Sequence, residues 1–290
     1  MPELPEVETI VRALRLHLIG KKIRSIKVMT PKIIRSPLPL TVRTLKQATI
    51  IDIKRIGKMI LILLDPQASL AVHLKMTGQL LLQPSETPVD KHTHVIWSFA
   101  SSEKQLRYRD VRKFGFLICS SETSPSDIPC LKDLGPDPFE ISAAQFARIL
   151  GQKKRSLKPL LLDQTVISGL GNIYVDESLH LAGIHPLTKA DTLSPLEAKN
   201  LHQIIRKVLR RAIRSKGSTL RDFRKPDGTA GSYQNRHQVY GREGDPCLTC
   251  GRPIKKIRVG GRGTHFCPTC QRKGIVPKLR DSQTEGLQGS

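Results

Sequence analysis

The first eight residues, Met-Pro-Glu-Leu-Pro-Glu-Val-Glu, set a proline and two carboxylates, Pro2, Glu3 and Glu6, beside an amino terminus. Removal of Met1 by an aminopeptidase, which a small following residue such as Pro permits, frees the Pro2 nitrogen as a secondary amine. An α-amino group titrates near neutral pH whereas a lysine amine does so near ~10.4, so a useful fraction of such an amine is unprotonated and nucleophilic. Attack on a sugar carbon gives a cationic iminium, an electron sink for the next bond to break. The same residues also fit a plain helix start with proline in its first turn. At the far end of the chain, Cys247-Leu-Thr-Cys250 and Cys267-Pro-Thr-Cys270 are separated by sixteen residues. That is the spacing of a four-thiolate zinc site built on two knuckles around a hairpin. Four protein ligands leave no open position for substrate, so the implied Zn2+ is structural. Two disulfides are the alternative. Cys119 and Cys130 stand apart and read as reduced, partly buried thiols.

The partner is indicated by charge. Lys and Arg number 48 against 25 Asp and Glu, for a formal net charge of +23 and a pI of about 10.1. A polyanion is therefore expected, with nucleic acid first. No apolar run approaches the ~18 residues of a spanning helix, and the basic residues are scattered instead of lining one amphipathic helix. The acidic amino end does not resemble a secretory leader, so a cytoplasmic protein is expected.

The positioning elements can be read from periodicity. At 290 residues the chain suits two domains. Val7, Ile10, Val11, Leu14 and Leu18 recur at helical spacing, so a helix follows the terminus and Gly20 stops it. From Ile23 to Cys119 short β-branched and leucine-rich runs alternate with turn residues: 23–28, 49–53, 59–64, 69–74, 79–82, 94–99, 105–109 and 114–119. They predict an antiparallel sandwich or barrel. Residues 120–138 are proline-rich and read as a linker. Helical signals follow: capping boxes at Ser142/Gln145 and Ser194/Glu197, and between them the glycine turn Ile167-Ser-Gly-Leu-Gly-Asn-Ile173, leading into a helix from Asn172 to about Leu181. Residues 217–232, rich in Gly, Asp, Lys and Arg, look like a mobile loop.

The amino-terminal octapeptide, then His73-Leu-Lys-Met76-Thr-Gly, Asp110-Val-Arg112-Lys-Phe114-Gly, Gly169-Leu-Gly-Asn172-Ile-Tyr and the four-cysteine hairpin, in that order, resemble the bacterial formamidopyrimidine-DNA glycosylases over about residues 2–272. The resemblance implies an α+β fold. Its parts are a catalytic β-sandwich domain with an amino-terminal helix over 1–119, the linker over 120–138, and a helix-two-turns-helix domain over 139–232, whose 217–232 loop closes on the lesion. A β-hairpin zinc finger over 233–274 and a disordered tail over 275–290 complete it. It further implies a monomer that binds damaged double-stranded DNA in a basic cleft, excises oxidised purines such as 8-oxoguanine and formamidopyrimidines, and cuts the strand at the abasic site.

The residues can be matched to that chemistry. A damaged nucleotide must leave the stack before its anomeric carbon is reached, and something must fill the hole. Met76 and Phe114, each in a turn, suit apolar wedges, although both also suit a hairpin core. By resemblance Arg112 reads the orphaned cytosine, Pro2 is the nucleophile, Glu3 acts as acid and base, and Lys58 donates a later proton. Arg262, in Gly260-Gly-Arg-Gly-Thr264, is matched to the second elimination; a phosphate clamp is its simpler role. Asn172 reads as a helix cap whose helix offers free amides to a phosphate. Lys153 and Lys158, in the basic run 153–158, align with DNA contacts, as does His92; for His92 an exposed histidine or a weak metal site with His94 is the alternative. His73 and Tyr240 are further phosphate candidates. Glu6 is expected to hold the terminus in place.

The sequence departs from the pattern at Val111 and Lys113, where the family often has Pro and Arg, which bears on opposite-base preference. Two other readings compete: an endonuclease VIII-like enzyme for oxidised pyrimidines, and a zinc-finger protein that binds lesions without catalysis. Pro2, Glu3 and Lys58 favour an enzyme. Leu4 to Val7 and Arg112 to Phe114 favour the purine family.

Overall fold

The computed structural model describes residues 1–273; the expected tail, 275–290, lies outside them. Helix α1, Leu4–Leu18, follows the apolar repeat and ends just before Gly20, whose φ of +78° needs glycine. Its apolar stripe is split between two cores. Leu4 packs into the core of the helical half, while Val7, Ile10, Val11, Leu14 and Leu18 pack into the sandwich.

The sandwich has two four-stranded antiparallel sheets. One is ordered β1 (Ile23–Val28), β6 (Thr93–Phe99), β7 (Lys104–Asp110), β5 (Gly78–Pro84); the other β2 (Thr49–Ile56), β3 (Met59–Asp65), β4 (Ala68–His73), β8 (Phe116–Ser120). The chain crosses between sheets at β1–β2 and then, through shorter connections, at β4–β5 and β7–β8. Since β4 pairs with β8 through His73↔Phe116, and β5 with β7 through Gly78↔Asp110, the latter two crossings lie side by side. That topology alone brings residues 74–77 next to residues 111–115.

Two expectations need correction here. Helix α2, Leu38–Leu45, lies in a stretch read only as strands and turns; Pro37 at its N-cap and Pro39 in its first turn supply helix-compatible φ where neither needs a donor N–H. The 120–138 segment is no solvated tether. Ile128 and Leu131 are buried against Met59, Leu61, Ala71 and Phe116, covering the outer face of the second sheet.

The helical half comprises α3 (Ala143–Gly151), α4 (Leu157–Leu161), α5 (Asn172–Leu181) and α6 (Pro195–Arg214), with both capping boxes formed as expected. The 217–232 loop is packed instead of free: Phe223 is buried in the sandwich core, and the Leu82 N–H donates to Pro226 O at 2.8 Å. A two-stranded hairpin, β9 (Lys255–Val259) and β10 (Arg262–Phe266), ends the described chain, over a small core of Val239, Cys247, Ile254 and Cys267.

Candidate active site and nucleic-acid interface

The amino terminus is held at the seam between the two halves. The Leu4 N–H donates to Gly169 O at 3.0 Å, and the Glu3 N–H donates to Glu6 Oε2 at 2.8 Å. The Glu3 carboxylate lies across the N-terminus of α5, accepting from Ile173 N at 3.0 Å and from Tyr174 N at 3.4 Å. Those amides are unpaired donors of a new helix, and its dipole favours an anion there. The approach requires glycine: a Cβ on Gly171 would lie 2.3 Å from Glu3 Cδ.

Glu6 is buried and accepts from the Ser218 N–H at 2.7 Å and from the Tyr174 hydroxyl, so it ties α1 to α5 and to the root of the 217–232 loop. The expected anchoring role of Glu6 thus has concrete partners. Burial, with Glu3 nearby, pushes its carboxyl up to about 7. Burial also raises Glu3, against the opposing pull of Lys58 and the α5 amides.

Lys58 follows Gly57, at φ +57°, in the β2–β3 turn and is 7% exposed. Desolvation lowers its ammonium below the usual lysine range, Glu3 resists that shift, and Arg262 adds to it. Lys58 is therefore no solvated strand-edge lysine, although it leads into a strand. Pro2, Glu3, Lys58 and Arg262 come from three distant parts of the sequence, and the last three sit within electrostatic reach of one another. Burial raises the carboxyl and lowers the ammonium, so the proton affinities of the two groups are drawn towards each other, as proton transfer at such a site requires.

On the sandwich rim, Met76 and Phe114 are 44% and 51% exposed, so neither is hairpin core. Between them lies Arg112, whose Nη1 is 3.1 Å from Met76 Sδ and whose guanidinium sits 4.5 Å from the Phe114 ring centroid. The three form one projecting apolar-cationic cluster. Asp110 lies buried beneath it, a functional residue that sequence reasoning missed. Its Oδ1 accepts from the Thr77 hydroxyl and from Arg112 N at 3.2 Å, and its Oδ2 accepts from Gly115 N at 2.8 Å. A carboxylate at a strand end with glycine five residues on is the available sequence signal. Close by, Lys75 N donates to His73 Nδ1 at 3.0 Å, and burial beside Lys75, Lys58 and Arg35 lowers His73 to about 3, so its ring is neutral with Nε2 left to donate.

Two expectations are overturned. Asn172 does not cap α5; Gly171 does, and the α5 amides hold Glu3, not a phosphate. Asn172 Nδ2 donates to Gly263 O at 2.9 Å. Lys158 is no solvated DNA contact either: it is 0% exposed, with Nζ 2.6 Å from Asp176 Oδ1 and 3.1 Å from Gly263 O. Lys153 is exposed just past α3, Arg262 is exposed at the start of β10, and His92 and Tyr240 are half-buried. His94 makes no metal pair with His92, since its two nitrogens engage Thr30 Oγ1 and Asp110 O. Tyr240 stacks edge-on against His237 and His265.

The four cysteines converge as their spacing predicts, with their Sγ atoms all within 4.8 Å of one another. Cys247–Cys270 and Cys250–Cys267 sulfurs are 3.9 and 3.4 Å apart. Tetrahedral zinc with ~2.3 Å bonds needs sulfurs roughly 3.8 Å apart, so the set fits one structural Zn2+. Thr249 N and Cys270 N point at Cys247 and Cys267 sulfurs, and His180 Nε2 lies 3.6 Å from Cys247 Sγ, the outer partners a thiolate site needs.

Comparison with known proteins matches residues 1–117 to the formamidopyrimidine-DNA glycosylase N-terminal domain, 134–224 to the formamidopyrimidine-DNA glycosylase H2TH domain, and 244–272 to the zinc finger found in FPG and IleRS. The formamidopyrimidine-DNA glycosylase of Pelotomaculum thermopropionicum is 45% identical over 275 residues, 94% of this chain and 99% of that one. That of Bacillus subtilis is 45% identical over 278 residues, covering 94% and 100%. The crystal structure of the Lactococcus lactis FPG mutant G226P with a Fapy-dG containing DNA superposes with a TM-score of 0.87 at 39% identity, covering 94% and 100%. A structure of MutM with carbocyclic 8-oxo-G containing DNA gives 0.86 at 39%, with the same coverage.

Proposed function

The chain belongs to the formamidopyrimidine-DNA glycosylase family, and on that premise we propose that Pro2 is the nucleophile of a base-excision-repair enzyme, working with Glu3, Lys58 and Arg262 on oxidised purines in duplex DNA. The protein is a DNA glycosylase with abasic-site lyase activity. The observation that carries the residue assignment is the seating of Glu3 on α5 at the seam of the two halves, with Lys58 and Arg262 in reach, directly beside Pro2.

The steps follow from the groups present. Met76 and Phe114 enter the stack where the lesion has left, and Arg112 donates to the acceptor atoms of the orphaned cytosine. With Met1 gone, the Pro2 nitrogen bonds to C1′ as the C1′–base bond breaks, and Glu3 supplies and takes protons while the sugar opens. The resulting iminium acidifies C2′: a proton leaves there and the 3′ phosphate departs from C3′. A proton then leaves C4′, and the 5′ phosphate departs from C5′. Lys58 acts as donor in the first elimination, and Arg262 faces the phosphate of the second. His92, Lys153, His73 and Tyr240 are the groups assigned to the DNA backbone, where phosphate contacts set register; Asn172 instead holds Gly263 O. The bound zinc supplies rigidity to the hairpin that carries Arg262. No helix of the described residues is long and apolar enough to cross a membrane; in this reading the protein works as a monomer where its duplex substrate lies, at the nucleoid.

Borohydride trapping tests the assignment. The protein is incubated with a duplex containing 8-oxoguanine opposite cytosine, reduced, digested and mapped by mass spectrometry. An adduct on Pro2, absent when Met1 is retained, is expected. Unmodified protein with intact DNA, or an adduct on a lysine, overturns it. The same assay with an oxidised thymine separates the pyrimidine-directed reading.

A further inference from the structure

Among the described residues strand β10 has only one partner strand, so one of its edges is open there, and backbone groups on that edge are satisfied by side chains from the helical half. Gly263 O accepts from Lys158 Nζ at 3.1 Å and from Asn172 Nδ2 at 2.9 Å. Two residues on, the His265 N–H donates to Asp176 Oδ2 at 2.9 Å, while Asp176 Oδ1 takes Lys158 Nζ at 2.6 Å. Lys158, on α4, and Asp176, on α5, are both fully buried. Together with Asn172 they stand in for a third strand, and the residue next to the clamped carbonyl is Arg262.

A fully buried ion pair is a poor source of stability, because desolvating both charges offsets most of their attraction. Its value lies in direction. An ammonium cut off from bulk solvent must keep its few acceptors, which fixes the Gly263 carbonyl, and with it the start of β10, against α4 and α5. We propose that the Lys158–Asp176 pair is a positioning device for Arg262, locking the open edge of β10 so that the Arg262 guanidinium meets the 5′ phosphate as it leaves C5′ in the second elimination. Lys158 touches no DNA in this role. The inference rests on the assignment of Arg262 made above.

A 5′-labelled duplex with a single abasic site reads the two eliminations apart: the first leaves an unsaturated aldehyde on the labelled fragment, the second a 3′ phosphate. Lys158→Met removes the clamp but strands Asp176, so Lys158→Met/Asp176→Asn is made beside it, with the Asn oxygen still able to accept from His265 N. Zinc content and melting temperature are measured for each. Both variants are expected to lower the ratio of 3′ phosphate to aldehyde product at least tenfold, with single-turnover 8-oxoguanine excision within about threefold of the parent. A parental product ratio in a folded double variant overturns the proposal, as does an equal loss of both products. Arg262→Ala separates the premise. If it too keeps the parental ratio, the Arg262 assignment fails with the proposal; if it loses the 3′ phosphate while the Lys158 variants keep it, only the clamp is wrong.

Discussion

Asp110 Oδ2 accepts the Gly115 N–H across the turn that carries Arg112 and Phe114, so one buried carboxylate sets the shape of the loop that would enter the DNA stack. Asp110→Asn keeps the volume but turns one acceptor into a donor facing either Gly115 N or the Thr77 and Arg112 donors. A buried group left unpaired costs ~1–3 kcal/mol, a factor of about 5–150. Excision of 8-oxoguanine opposite cytosine should fall by that order, and its preference over the adenine mispair should shrink. Strand cutting at a preformed abasic site should fall less. Single-turnover rates on the three duplexes check it; unchanged discrimination would sink the role given to Asp110.

Gly171 offers a sharper local test. Its added methyl in Gly171→Ala would lie 2.3 Å from Glu3 Cδ, so the carboxylate must leave the α5 amides. Misplacing a proton-transfer group by about 1 Å is worth ~100-fold, and base excision should fall at least that far. Overpacking should lower stability by ~1–3 kcal/mol, short of unfolding. Gly151→Ala, at the end of α3 with nothing within 4 Å of the added carbon, is the control and should leave excision unchanged and stability equal or slightly higher.

The pH dependence of stability follows from Glu6. Its folded carboxyl titrates at about 7 against 4.5 for an unperturbed one, so the folded state binds the extra proton. Such a group contributes fully below the unfolded value and loses that contribution as pH rises from about 4.5 through about 7, an effect of roughly 3 kcal/mol. Melting curves from pH 4.5 to 8 should show a decline that is shallower in Glu6→Gln, where only Glu3 of the raised pair remains. Parallel curves for the two proteins would contradict the burial argument.

Removing the metal should act on the finger first. In Cys267→Ser, or after chelation, zinc content should drop, and affinity for a duplex carrying an abasic-site analogue should weaken at least tenfold, because the hairpin core is small and two of its four buried members are ligands. The sandwich, with its own core, should keep its near-UV circular dichroism. Parental affinity in zinc-free protein would show that the finger does not hold DNA.

What could be read in the sequence was local or carried by spacing. The α1 repeat, the two capping boxes, the strand runs and the cysteine spacing each involve residues within about twenty positions, and each formed as expected. The failures were matters of three-dimensional company. Lys158 sits in a run of basic residues that reads as a solvated face, and nothing near it announces Asp176 eighteen residues on. Asn172 has the residue type and place of a cap, yet the amides it would share are claimed by Glu3 from 170 positions away. Helix α2 was hidden by prolines that here open a helix instead of breaking one. Ile128 and Leu131, diluted among prolines and polar residues, gave no periodicity from which to infer a covered face.

The bond from Ile173 to Glu3 also sets a schedule for the life of the chain. The amino terminus is made first, but its pocket has no floor until α5 leaves the ribosome. At ~5–20 residues per second that is an interval of roughly 10–30 s. Throughout it Pro2 stays outside the fold, and a peptidase working on the growing chain can reach Met1. Once α5 docks, Pro2 is buried beside the anchored Glu3 while Met1 itself stays half exposed, so the bond to be cut is drawn against the fold and is reached more easily during synthesis than after it.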